Sequence, residues 1–224
     1  MLPKLMKPNN SAVPSTAFKS RGSAVQWIKK AYDAVGLTQY PVGKHLAAIQ
    51  NRLGGSVILC LDISGSMYGE SLRQAKIGCQ RFVIEAISAG YSVAGLLWHH
   101  DVSGHTQLKR DPIDVNRLFA NAESSGGNNI VPALQTSEVI LAGSAGDLAI
   151  AISGDGDFGD PGNARREAAR LAARGIRVIT CGLGASSAEE LNAISTETNQ
   201  APRVAQQDNI ADAIAEMAQG LRRR

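Results

Sequence analysis

The sequence predicts an α/β fold: a doubly wound, mostly parallel sheet with helices on both faces, preceded by a short helical N-terminal extension. Three observations predict it. Short continuous apolar runs such as Val57–Leu61 and Leu148–Ile152 have the length and composition of strands buried on both faces. Between such runs lie longer stretches with apolar residues at three- and four-residue spacing, as in amphipathic helices. The two kinds of segment alternate from residue 56 onward, and parallel strands require crossovers of that kind.

Residues 1–22 are rich in Pro, Ser and Asn and predict loose chain. Ser23–Val35 places Val25, Ile28, Ala31, Tyr32 and Val35 on one helical face, and Gly36 stops it. A second short helix over Val42–Arg52 is closed by Gly54 and Gly55. Residues 1–54 therefore form an extension, and residues 55–224 the domain. Val57–Leu61 is its first strand. Glu70–Ala89 is a long helix bearing Leu72, Ala75, Cys79, Phe82, Val83 and Ile87, ended by Gly90. Tyr91–Trp98 is a second strand, and the weaker alternating run Gly104–Lys109 an edge strand. Val115–Ala120 predicts a short helix. Ile130–Leu141 predicts a longer one, with Pro132 tolerated in its first turn. Leu148–Ile152, Arg177–Cys181 and the region of Val204 supply three more strands. Helices are expected near Asn163–Ala173, Ala188–Thr196 and Asn209–Leu221.

A chain of 224 residues is long enough to bury a full core. No apolar run approaches the roughly 20 residues that span a bilayer. The first ten residues have no apolar centre and do not read as a secretory signal. Cys60, Cys79 and Cys181 are isolated in apolar settings, without metal-type spacing, and read as buried reduced thiols; a cytoplasmic location is expected from them. The net charge of +3 hides an asymmetry. Residues 1–54 hold eight basic side chains against the single acid Asp33, which is +7, so the remainder carries −4. Such a basic arm suits nucleic acid or an acidic partner. Its basic residues are dispersed and little interleaved with aromatics, which favours a solvated surface or an arm docked on its own domain.

The most informative stretch is Val57–Met67. An apolar strand runs into a loop presenting Asp62, Ser64 and Ser66, one carboxylate and two hydroxyls at alternating positions. Three hard oxygen donors on one turn suit a hard divalent cation such as Mg²⁺. With two neutral donors of the three, the ion keeps much of its charge and seeks an anionic ligand from outside. The plainer alternative is a loop in which Ser64 or Ser66 merely caps the following helix.

The pattern Asp-x-Ser-x-Ser resembles the metal-ion-dependent adhesion site of von Willebrand factor A domains. Gly126-Gly127-Asn128-Asn129-Ile130 resembles the family's Gly-Gly-Thr-Asn-Ile segment. Ala149–Asp157 resembles its apolar strand ending in Asp-Gly, and Arg174–Gly184 its penultimate strand. The order and spacing run from about residue 55 to 221. The resemblance implies a metal set of Asp62, Ser64, Ser66, Asn128 and Asp155. It implies that the serines bind the ion directly and the aspartates often through water. Asn128 stands where the family has Thr; an amide oxygen is an acceptable hard ligand but is one atom longer. The implied ion is Mg²⁺, with Mn²⁺ or Ca²⁺ as substitutes. The implied partner offers Asp or Glu to complete the coordination. An intracellular, prokaryotic, stand-alone member is implied, an adaptor working with a MoxR-type AAA+ ATPase or in a stress or phage-defence system.

Other groups are weaker. Asp155–Asp160 is faintly similar to a calcium loop but lacks the terminal Glu. Asp157 and Asp160 read as solvated loop residues or outer members of the Mg²⁺ site. His99, His100, Asp101 and His105 form a histidine cluster, read as a rim of the binding face or as a transition-metal or acid/base group. Neighbours on a strand point to opposite sides, so His99 and His100 are not expected to share an ion. No Gly-x-Ser-x-Gly elbow or phosphate-binding Gly-Lys-Ser/Thr loop is present, and an interaction module is expected rather than an enzyme. The competing readings are a metal-dependent hydrolase on the same edge and a nucleic-acid-associated adaptor using residues 1–54. The tail Arg222–Arg224 reads equally as a contact or a free end.

Overall fold

The computed structural model describes residues 54–197 and 200–222, so both helices expected in residues 1–54 lie outside the described residues. Among the described residues are six strands: β1 (Gly55–Asp62), β2 (Tyr91–Trp98), β3 (Val102–His105), β4 (Asp147–Gly154), β5 (Ile176–Leu183) and β6 (Val204–Ala205). The helices are α1 (Glu70–Ser88), α2 (Ile113–Ala120), α3 (Val131–Leu141), α4 (Pro161–Ala173), α5 (Ala185–Asn192) and α6 (Ile210–Arg222). The sheet order is β3-β2-β1-β4-β5-β6, with β3 alone antiparallel.

β1 is the middle of this sheet, and all eight of its residues are buried. That is why it reads as an unbroken apolar run: it meets helices on both faces. Its side chains alternate between two cores. Val57, Leu59 and Leu61 join α1, α2 and α6 through Phe82, Phe119 and Ile214. Ile58 and Cys60 join α3, α4 and α5 through Leu134, Leu171 and Leu191. No helix among the described residues is long and apolar enough to cross a membrane.

Two elements depart from the sequence reading. The edge strand lies at Val102–His105 rather than Gly104–Lys109; Lys109 keeps only an isolated bridge to Val93. The ladder of β3 with β2 is itself irregular between Leu97 and Trp98. α5 spans Ala185–Asn192 rather than Ala188–Thr196. It starts early because Gly184 opens it. It stops early because Thr196 bonds to the β5 edge instead: Thr196 N donates to Val178 O at 2.9 Å, and Val178 N donates to Thr196 Oγ1 at 3.0 Å. β6 pairs only with Gly182 and Leu183, which leaves that stretch of β5 open to Thr196.

The parallel strands end together on one edge. Asp62 closes β1, and Asp155 follows the last residue of β4. α1, α3 and α4 begin on the same edge, so their amino termini bring positive partial charge towards it.

Candidate metal centre

Three loops meet at this edge. The first leaves β1 through Asp62 and makes a single 3-10 turn at Gly65–Met67. The second carries Ser125–Asn129, and the third runs from Asp155 to Asp160. Backbone bonds staple them together. Gly65 N donates to Gly126 O at 3.2 Å, and Ser125 N donates to Ile63 O at 2.7 Å. Ile130 N donates to Phe158 O at 3.3 Å, and Phe158 is itself buried in the core under α3 and α4.

Asp62 is wholly buried, and Ser64 nearly so. Asp62 Oδ1 accepts from Ser64 N at 2.8 Å, and Asp62 Oδ2 from Asp155 N at 3.4 Å. The Ser64 and Ser66 hydroxyls lie 3.0 Å apart, and Ser66 Oγ donates to Asp155 Oδ2. Four of the five sequence-predicted ligands thus form one connected oxygen cluster. Neither hydroxyl caps a helix: α1 has Gly69 as its N-cap and no side-chain cap bond. Asp62 has room because Gly154 stands beside it on β4. A Cβ on Gly154 would lie 2.7 Å from Asp62 Oδ2. On its other side, Asp62 is the register partner of Trp98.

The fifth residue, Asn128, lies on the stapled second loop. Its Oδ1 is buried and has no hydrogen-bond partner among the described residues. A buried amide oxygen in that state costs free energy of about 1–3 kcal/mol unless something satisfies it. The cluster itself is also uncompensated. Among the described residues no Lys or Arg forms an ion pair with Asp62 or Asp155. Burial pushes the Asp62 carboxyl up to about 7, and the charge of Asp155 adds to that, while the Ser64 N–H pulls the other way. Two carboxylates, two hydroxyls and a free amide oxygen form a donor set that fits a hard divalent cation.

The remaining acids of the third loop are structural. Asp157 Oδ1 accepts from Gly159 N at 2.9 Å, which shapes the turn. Asp160 caps α4 through Asn163 N at 2.9 Å, and that bond holds its carboxyl below the usual range. Asp160 is exposed, as a solvated loop residue should be, and the cap is a role the sequence reading did not assign it. The histidines differ as well. β2 ends at Trp98, so strand alternation no longer governs His99 and His100, and their rings meet at 4.3 Å. His99 Nδ1 accepts from Asp101 N at 3.2 Å, and burial lowers the His99 pKa. The pair packs on the second loop at Gly126, whose φ is +72°. A Cβ there would lie 2.7 Å from His100 Nδ1. Among the described residues no three His, Cys, Asp or Glu side chains gather as a metal-holding group. Two contributors escape sequence reasoning, Gly154 and Phe158. The only local signal for Phe158 is a lone aromatic in an Asp-Gly loop.

The von Willebrand factor type A domain model matches residues 56–219. This chain belongs to that family. Among solved structures, the vWF domain of the type V pili tip protein Mfa5 from Porphyromonas gingivalis matches this vWA domain with a TM-score of 0.67 at 15% identity. That match covers 76% of this chain and 96% of the other. The protein BatB from Bacteroides thetaiotaomicron gives 0.60 at 20% identity, covering 74% and 100%. The pilus adhesin SpaC from Lactobacillus rhamnosus GG gives 0.63 at 13% identity, covering 77% of this chain and 31% of SpaC. At these identities the likeness establishes a shared fold. No curated protein matches this vWA domain in sequence.

Proposed function

We propose that this vWA domain is a non-enzymatic protein-interaction module whose carboxyl edge holds Mg²⁺ and receives an Asp or Glu from a partner. The observation that carries the reading is the buried Asp62 carboxylate, without a cationic partner among the described residues and linked through Ser64 and Ser66 to Asp155. A buried carboxylate of this kind calls for a counter-ion. Asp62, Ser64, Ser66, Asn128 and Asp155 would hold the ion. When bound, Mg²⁺ supplies a positive centre that attracts a carboxylate. The chain supplies the rest. The stapled loops fix the oxygens in advance, and the amino termini of α1, α3 and α4 favour an incoming anion.

The hydrolase reading draws less support. Ser64 and Ser66 face each other and Asp155 rather than a histidine base. A binding rather than catalytic role is in keeping with SpaC, a pilus adhesin. We place the chain in a reducing, cytoplasmic setting on three free, buried cysteines, the Cys60 thiol pushed up to about 12 by burial. Service with a MoxR-type AAA+ ATPase or a stress or defence system is the corresponding proposal for its context.

The test is calorimetric titration of the full chain with Mg²⁺ and Mn²⁺, in parallel with Asp62→Ala and Ser66→Ala. Saturable binding by wild type that both variants lose supports the reading. Equal heats from all three proteins, or none from wild type, would overturn it.

A further inference from the structure

A cavity opens on the same edge as the oxygen cluster. It measures about 330 Å³ and lies between α1, β5, β6 and α6. Leu183, Ala205 and Ile210 form its apolar floor, and Ser71, Gln206 and Gln207 its polar rim. Its walls are fixed. Gly184 N donates to Ala205 O at 2.7 Å, and Gln206 N donates to Asn209 Oδ1 at 2.6 Å, which holds the rim turn.

Two routes join this cavity to the cluster. Along the sheet, Gly154 and Gly182 are register partners on neighbouring strands, and Asp155 and Leu183 are the residues that directly follow them. Along the chain, only four residues separate Ser66 from Ser71, and they include Tyr68, 82% exposed. Val204 adds a further exposed apolar side chain beside Ala205.

We propose that this cavity is a second recognition pocket, which takes an aliphatic side chain from the same partner segment whose acid lies on the metal edge. The proposal rests on the metal-bridged reading above. Its physical logic is a division of labour. A metal–carboxylate contact accepts any accessible acid, so it discriminates little between partners. A pocket with an apolar floor, one or a few extended residues away, selects among acidic segments by what stands beside the acid. The rim hydroxyl and amides offer hydrogen bonds to the peptide backbone while the side chain sits on Leu183 and Ile210. An acidic–aliphatic peptide segment is therefore the expected ligand class.

The test uses the full chain, isotopically labelled, and hexapeptides with one central Glu. Leu stands one to four residues to either side, or Ala replaces it, and each peptide is titrated by NMR with Mg²⁺ and with chelator. The expected result is Mg²⁺-dependent binding of all the Glu peptides, with at least one Leu spacing about tenfold tighter than its Ala control. The Gly184 and Gln207 amides shift with that Leu peptide and not with the control. Ser71→Trp and Gln207→Trp, which fill the cavity from two different elements, bring the Leu peptide down to the Ala level. Val139→Ala, on an exposed face of α3, keeps the preference. Leu and Ala peptides that bind alike to wild type, with Mg²⁺ dependence intact, would overturn the pocket and leave the metal reading standing. Binding that ignores chelator, or none at all, would overturn both.

Discussion

Two buried aspartates sit at opposite edges of the sheet, and the chain treats them in opposite ways. Asp147 opens β4 at the amino edge. Arg177 meets it with two nitrogens, Nε donating to Oδ1 at 3.0 Å and Nη2 to Oδ2, and the Tyr91 hydroxyl donates to Oδ2 as well. The same two side chains reach the end of α6. Arg177 Nη1 donates to Gly220 O at 3.1 Å, and Tyr91 Oη lies 2.9 Å from Leu221 O, its one proton shared with Asp147. Asp62, at the carboxyl edge, has backbone N–H donors and a neighbouring acid but, among the described residues, no cationic side chain paired with it. The charge at the amino edge is neutralised from within and fastens a helix to the sheet. Among the described residues no charge at the carboxyl edge answers that of Asp62, and the proposed Mg²⁺ would supply it, as Arg177 does for Asp147.

The largest expected effect comes from removing compensation at the amino edge. Arg177→Ala strands the Asp147 carboxylate and should cost about 3–5 kcal/mol, read by urea denaturation. A loss under about 1 kcal/mol would show the two edges to be less different than their hydrogen bonds suggest.

The opposite change at the carboxyl edge should have the opposite sign. In metal-free protein the Asp62 carboxyl sits at about 7 against an ordinary 3.8. A raised folded-state pKa contributes stability that is complete below about pH 4 and is lost as pH rises to about 7. Asp62→Asn should therefore stabilise the metal-free protein at neutral pH, by about 2 kcal/mol, and flatten that part of its pH profile. Melting curves with chelator from pH 4 to 8 decide it. A variant less stable than wild type at every pH would break the comparison.

Restoring the missing charge is the third test. For a Kd of about 1 mM, roughly 10 mM Mg²⁺ should add about 1.4 kcal/mol to wild type. Asp62→Asn should gain nothing, and Arg177→Ala should gain as much as wild type. Thermal shifts with Mg²⁺ and chelator read all three.

The smallest effect sharpens the contrast within the carboxyl edge itself. Asp160→Ala removes the α4 cap and should cost about 1 kcal/mol in chemical denaturation while leaving the Mg²⁺ shift intact. A lost Mg²⁺ shift would make Asp160 part of the metal site.

Much of the carboxyl edge is legible in the sequence because its features are local. Asp62, Ser64 and Ser66 share one turn, and the strands that deliver Asp62 and Asp155 announce themselves as apolar runs. The amino-edge clamp is not legible. Tyr91, Asp147 and Arg177 are separated by 56 and 30 positions and meet only through strand register. Thr196 fails the helix expected of it because an open strand edge, invisible to local periodicity, claims its hydrogen bonds. The paired rings of His99 and His100 follow from where β2 ends, one residue earlier. The free amide oxygen of Asn128 depends on every neighbour around it, and composition carries no trace of that.

The central position of β1 also has a meaning in time. It is the earliest strand of the domain along the chain, yet it is covered on one edge only when β4 arrives, at the register Gly55 with Asp147. Ribosomes add about 5–20 residues per second, so this apolar strand waits roughly 5–20 s for its second neighbour. During that interval Val57–Leu61 is an open hydrophobic edge. Synthesis of this domain therefore asks most of the cell's holding chaperones in its first half, before β4 arrives to cover that edge.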